Sequence, residues 1–165
     1  MITVSEAIVR MIDLCQGSQY DICHFLKVWG YAQTIGKQEG LDERTQQILE
    51  FTAIVHDIAC PSLRKEYGNP PHDLQEKYGP PLVREFYGGS GMDDDMLERI
   101  CYLVGHHHTY NGVDGMDYQI LLEADFLTNA GEQEKYRKVA DRFRDNVFRT
   151  QTGLALLDSM FREQV

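Results

Sequence analysis

The sequence predicts an all-α protein, a single compact multi-helix bundle over residues 1–165, and three observations carry that expectation. Apolar side chains recur at three- and four-residue steps in successive segments, and most of these segments open on a residue suited to cap a helix. No stretch shows the strict alternation of a half-buried strand. The 165 residues, 42% of them hydrophobic, suffice for one core and not for two independent ones.

Thr3 and Glu6 have the spacing of a capping box and open an amphipathic helix through Ile8, Met11, Ile12 and Cys15, ending near Gly17. Asp21 is the expected cap of a second helix, in which His24, Val28, Tyr31 and Ile35 share a face until Gly40. Asp42 precedes a third, with Ile48, Leu49, Thr52, Ala53, Val55 and His56 at helical spacing, and Pro61 is expected to stop it. From Pro61 to Gly79 the composition reads as a loop with a short helix around His72 to Tyr78, and Pro80-Pro81 as the start of another helix to Tyr87.

Gly88 to Gly91 reads as a turn, and Asp93-Asp94-Asp95 as the acidic N-terminus of a helix carrying Met96, Ile100, Leu103, Val104 and His107. The triplet lacks the spaced oxygen ligands and distal Glu of a calcium loop. Three further helices are expected, about Asp117 to Ala130, Glu132 to Asp145 and Gln151 to Arg162, for a total of seven or eight. The C-terminal pair, within 132–162, would pack on a core region of about 20–130.

The formal charge of -10 makes duplex nucleic acid a poor partner, while leaving room for a small phosphorylated compound beside a bound cation. The four cysteines, at 15, 23, 60 and 101, form no C-x-x-C pair, and Glu6 and Asp13 interrupt anything like a signal-peptide core, so a reducing cytoplasm is expected. No apolar run reaches the length of a membrane span. Neither acidity nor hydrophobicity decides the oligomeric state.

The chemistry-bearing residues are imidazoles and carboxylates on otherwise apolar faces. The six histidines lie at 24, 56, 72 and 106 to 108. Asp57 and Asp125 share the problem that a buried carboxylate must be paired, hydrogen-bonded or metal-bound. Spacing alone leaves two readings open: a site for a divalent cation such as Mn²⁺, Fe²⁺, Co²⁺, Ni²⁺ or Zn²⁺, or structural groups satisfied by hydrogen bonds. Adjacent His56 and Asp57 diverge by about 100° on an ideal helix, so they can serve one ion only where the backbone loosens at a helix end.

The order His24, His56-Asp57, His106-His107, Asp125 resembles the H…HD…HH…D signature of the HD superfamily of phosphohydrolases. DICHFLKV resembles that family's first helix, FTAIVHDIA its hallmark helix and YQILLEADFLTN the segment bearing its last aspartate. The resemblance implies an HD-domain bundle in which His24, His56, Asp57 and Asp125 ligate a divalent metal (Mn, Fe, Co, Ni, Zn or Mg), with Asp57 also orienting the attacking water. For His106 and His107 it leaves open a second metal, contact with substrate phosphate or a proton-transfer role, or a structural role. His72 is a further candidate for a second metal or a surface-loop histidine, and His108 is solvent-facing or hydrogen-bonded. Lys27, Arg64 and Lys77 are candidates for contacts with a phosphate, or solvated surface charges.

The implied activity is hydrolysis of a small phosphorylated compound or nucleotide by a metal-activated water. Two alternatives stand beside it: a regulatory HD domain that binds metal or nucleotide without turnover, and a di-iron oxygenase of related fold. Departures from particular subfamilies narrow the choice. Cys60 and Pro61 replace the acidic residues of alarmone hydrolases, Cys60 stands where HD-type deoxynucleotidases carry a glutamate, and TYNGVDG lacks the GYP sequence of cyclic-di-nucleotide phosphodiesterases.

Overall fold

A long, almost wholly buried helix near the C-terminal third organises the packing. The computed structural model describes residues 1–161 and is all helical over them. The ten helices among the described residues are α1 (Val4–Leu14), α2 (Gln19–Gln38), α3 (Glu43–Val55), α4 (Cys60–Tyr67), α5 (His72–Tyr87), α6 (Asp94–Val104), α7 (Met116–Glu132), α8 (Glu134–Arg137), α9 (Ala140–Asn146) and α10 (Gln151–Phe161). The buried helix is α7, which packs mainly on α2 and α3, while α5 and α6 pair with each other and α6 closes on α3. Among the described residues no helix is long and apolar enough to cross a membrane.

Local chemistry explains most of the boundaries. The expected capping box forms, with Glu6 N–H donating to Thr3 Oγ1 at 3.2 Å and Thr3 N–H to Glu6 Oε2 at 2.8 Å. Asp42 caps α3 and Asp93 caps α6, each accepting a backbone N–H three residues on.

Asp21 is not the cap of α2. That helix begins earlier, with Ser18 as its cap, and Asp21 lies within the first turn, where its carboxylate accepts from the Ser18 hydroxyl and pairs with Arg64. Asp21 is buried because the Arg64 guanidinium of α4 satisfies it.

The stretch from Pro61 to Gly79 also differs from expectation. α3 stops at Val55, ahead of Pro61, and Pro61 starts α4 in a first-turn position where its missing N–H costs nothing. α5 runs straight through Pro80-Pro81. The two prolines cannot donate to carbonyls four residues back, so the helix is held there by packing against α6. Gly79 abuts Val104 so closely that a side chain would collide with it, and Cys101 Sγ approaches Pro80 O at 3.6 Å.

The helix expected over Glu132 to Asp145 does not form as one piece: the extended backbone of Gln133 (φ -133°, ψ 124°) separates α7 from α8, and Val139 precedes α9 after a second break. These breaks let the chain turn back over the end of α7, so Phe143 stacks on Phe126 with centroids 4.0 Å apart and Tyr136 meets the same ring edge-on. The expected end of the last helix, at Arg162, lies outside the described residues.

α10 is tied to α7 through Glu123, which is fully buried. Its carboxylate accepts from the backbone N–H groups of Arg149 (2.7 Å) and Thr150 (3.0 Å), from the Thr150 hydroxyl and from Gln119 Nε2. The substitution Glu123→Ala strands these donors and should destabilise the fold by about 3 kcal/mol. Denaturant unfolding should show a lower midpoint with an unchanged m-value; a midpoint matching wild type would mean the turn before α10 is held by other contacts.

Candidate metal centre

Three helices aim polar side chains at one point. α2 contributes His24, α7 contributes Asp125, and the turn after α3 contributes both His56 and Asp57. His56 and Asp57 can face the same point because regular helix ends at Val55, and the turn that follows closes through Ile58 N–H to Val55 O and Cys60 N–H to Asp57 O. His24, His56 and Asp125 are buried, and the Asp57 side chain, 19% exposed, is the part that meets solvent.

Each ring is oriented by its outer nitrogen. His56 Nδ1 lies 2.8 Å from Ala53 O, and since a carbonyl only accepts, that nitrogen carries the proton and Nε2 presents a lone pair inward. His24 is oriented likewise by Glu132, whose Oε2 is 2.9 Å from Nδ1. The two inward nitrogens stand 3.2 Å apart. Asp57 Oδ2 lies 3.5 Å from His24 Nε2 and 3.6 Å from His56 Nε2, and Asp125 Oδ1 lies 3.5 Å from both. Ligand atoms held about 2.0–2.2 Å from a divalent ion stand about 3.0–3.5 Å from one another. His24, His56 and Asp57 offer ligand atoms all within 4.8 Å of one another, and Asp125 adds an oxygen 3.5 Å from both imidazoles, so the donor set fits such an ion in atom type and spacing.

Electrostatics lead to the same conclusion. Burial opposes protonation of His24, but its hydrogen bonds to Asp125 and Glu132 and the charge of Asp57 outweigh it and push the pKa up to about 10. Burial would raise the Asp57 and Asp125 carboxyls, yet the facing imidazoles hold both far below the usual carboxylate range. The cluster thus demands positive charge, which a proton or a metal cation can supply.

Beyond the four donors lies His107, in the turn after α6. It is 1% exposed, its Nδ1 donates to Val104 O at 2.7 Å, and its Nε2 faces Asp57 Oδ1 at 3.0 Å. Asp57, His107 and His108 form a second group able to hold an ion, on the other oxygen of Asp57. His108 is fixed through Nε2 by Gln75 Oε1 at 2.7 Å and stacks on His72, with ring centroids 3.8 Å apart. Burial and His107 push the His108 pKa down to about 2, so its ring is neutral.

The remaining candidates stand outside the ligand cluster. His106 donates through Nδ1 to Tyr102 O and stacks on the exposed Tyr102 ring, so the turn that brings His107 in carries His106 outward. His72 is exposed and reaches the site only through its stack on His108. Lys27 bonds Glu132 Oε1 at 3.1 Å behind His24, Lys77 lies over the exposed Tyr78 ring, and Arg64 is paired with Asp21.

A narrow cavity of about 80 Å³ leads to His24 and Asp57 between Phe25, Cys60 and Asn129. Its mouth is edged by Tyr20, Arg64, Lys135 and Tyr136, with each cation close to the face of a tyrosine. Burial and the nearby Asp57 drive the Cys60 thiol far up, which keeps it neutral.

Sequence reasoning missed Asn129 and Glu132, which follow Asp125 at four and seven residues and so share its helical face. Asn129 Nδ2 donates to Asp125 Oδ1 at 2.9 Å, and Glu132 orients His24. The i, i+4, i+7 spacing was the available signal.

The family model described as HD domain matches residues 21–143. No curated protein matches the chain. The crystal structure of a predicted HD superfamily hydrolase from an uncultured Thermotogales bacterium is 21% identical, covers 95% of this chain and 84% of its own, and superposes with a TM-score of 0.71, which shows a shared fold. The match over most of its length places this chain in the HD domain family, typically metal-dependent hydrolases, and its own histidines and aspartates form a group able to hold a metal ion.

Proposed function

We propose that this protein is a metal-dependent phosphohydrolase acting on a small phosphorylated compound or nucleotide, with His24, His56, Asp57 and Asp125 as its metal ligands. The observation that carries the reading is the convergence of two inward imidazole nitrogens, 3.2 Å apart, with a carboxylate oxygen from each of Asp57 and Asp125 within 3.6 Å of both, and with His24 and Asp57 lining a cavity. Neutral imidazoles and two ionised aspartates leave two negative charges, the complement of a divalent cation.

Such an ion, when bound, supplies Lewis acidity toward a phosphoryl oxygen and acidifies water. The chain's own residues do the rest. Asp57 faces the cluster with Oδ2 and His107 with Oδ1, so it holds the site and links it to a buried imidazole able to hold or pass a proton at Nε2. A cavity of about 80 Å³ is far below the ~300–1,000 Å³ typical of sites that enclose a whole ligand, so it suits a phosphoryl-sized group with the leaving group outside. Lys135 places positive charge at the mouth, where it favours an anionic substrate against the acidity of the whole chain, while the charge of Arg64 beside it is committed to Asp21.

The second group, Asp57, His107 and His108, favours a reading with two ions and keeps the di-iron oxygenase as the rival. Turnover with Mg²⁺ or Mn²⁺ in the absence of oxygen is expected; a strict requirement for iron and oxygen would replace hydrolysis with the oxygenase.

Asp57→Ala and Asp125→Ala should each remove most bound metal and all measurable hydrolysis while leaving the helical circular dichroism intact. Elemental analysis that finds wild-type metal content in both variants would refute the ligand assignment. In a metal-reconstituted screen of phosphomonoesters, phosphodiesters and nucleotides, wild type should turn over at least one compound and Asp57→Ala none. Turnover of no member would move the protein to the regulatory, non-catalytic class.

For a substrate found in that screen, Lys135→Met should raise KM about fivefold with little change in kcat, and Lys77→Met, remote from the cavity, should change neither. Equal effects of the two would mean that the charge acts through the overall field and not at the mouth.

A further inference from the structure

α7 carries three polar residues on one stripe that all bear on the cluster: Asp125 at its floor, Asn129 one turn on, and Glu132 at the helix end. Glu132 stands among them as a half-buried acid with no place in the signature that the sequence resembles. Its side chain is 10% exposed, and its two oxygens do different things. Oε2 accepts from His24 Nδ1 at 2.9 Å, and Oε1 accepts from Lys27 Nζ at 3.1 Å.

The other inward rings are oriented by backbone carbonyls, His56 by Ala53 and His107 by Val104. His24 lies in the middle of α2, where the carbonyls behind it are taken by the helix itself, so its Nδ1 needs a partner from another element. Glu132 is that partner. Without it the imidazole is free to carry its proton on either nitrogen, and the tautomer with the proton on Nε2 points a donor at Asp57, Asp125 and His56 where a ligand must present a lone pair. A carboxylate also makes the ring a stronger electron donor than a carbonyl does.

We infer that Glu132 is a positioning residue of the metal site, acting through His24 by fixing its tautomer and ring orientation, with Lys27 holding Glu132 in place. Lys27, weighed from the sequence as a phosphate contact, has its charge committed behind the ligand and not in front of it. The inference rests on the metal reading proposed above, and its test separates the two.

The experiment is competition of Mn²⁺ and of Zn²⁺ between a fluorescent chelator and the purified full chain, for wild type and the variants Glu132→Ala, Glu132→Gln, Lys27→Met and Asp125→Ala. The expected result is about a 10- to 100-fold weaker affinity for Glu132→Ala and a smaller loss for Glu132→Gln, which keeps an acceptor for Nδ1–H. Lys27→Met should lose a few-fold at most, and Asp125→Ala should bind little metal.

Nitrogen and proton shifts of the His24 ring in the Zn²⁺-loaded protein give a second readout. Wild type should show a hydrogen-bonded Nδ1 proton that exchanges slowly with water, and Glu132→Ala one that exchanges rapidly. Metal affinity of Glu132→Ala within threefold of wild type, beside loss of metal in Asp125→Ala, would overturn the positioning role and leave the metal site standing. If wild type binds neither ion, both fall. Should Glu132→Ala not fold by circular dichroism, Glu132→Met, which removes the acceptor and keeps the bulk, takes its place under the same threefold criterion.

Discussion

Two aspartates facing two imidazoles across about the width of an ion set the terms for everything around them. Asp57 and Asp125 are both within 3.6 Å of the His24 and His56 nitrogens, in a place from which α2, α3 and α7 exclude most water. An unpaired carboxylate so enclosed costs several kcal/mol, and two on one spot cost more, so the packing that buries them is tolerable only with compensating positive charge and fixed hydrogen bonds. This explains why α7 buries Asp117, Glu123 and Asp125 among its apolar residues and yet leaves none of them without a partner: Arg99, the turn before α10 and the histidine cluster answer them in turn.

The histidines enter the cluster by one recurring device. The last carbonyls of a helix have no intrahelical donor, and an imidazole in the following turn can satisfy one while its other nitrogen points away. His56 uses Ala53 O at the end of α3, and His107 uses Val104 O at the end of α6. His106 uses Tyr102 O in the same way but, one residue earlier in the turn, faces outward. The device thus selects which member of a run of histidines reaches the site, and residue type alone does not reveal the selection.

That distinction marks what was legible in the sequence. The caps at Thr3, Asp42 and Asp93 act through side-chain and backbone atoms only three residues apart, so spacing states them directly. The all-helical fold follows from periodicity that each segment carries by itself. Features set by another element were hidden: Asp21 is drawn into the helix by Arg64, Pro80-Pro81 is held helical by α6, and Gln133 breaks a helix so that Tyr136 and Phe143 can pack on Phe126. At the site, the ordered histidines and aspartates could be picked out because their types are costly on apolar faces. Glu132 offered only its i+7 spacing from Asp125 and His108 no signal of its own, because an acid at a helix end and a histidine in a run look like ordinary surface.

The same contrast separates the floor of the cavity from its mouth. Floor residues come from α2, α3 and α7, helices gripped on several sides, so their donor atoms have little freedom to drift. The mouth takes Lys135 and Tyr136 from α8, a single turn following an extended residue, and Arg64 from the short α4. A short helix with few neighbours tolerates substitution and displacement far better than a buried one. On the proposed reading, chemistry is therefore fixed by the rigid floor and the choice of leaving group by the mouth, where the Tyr20–Arg64 and Tyr136–Lys135 pairs offer flat apolar faces beside positive charge. Two such pairs beside a cavity of about 80 Å³, too small to enclose a whole nucleotide, would admit a phosphoryl group end-on and grip whatever it is attached to from outside.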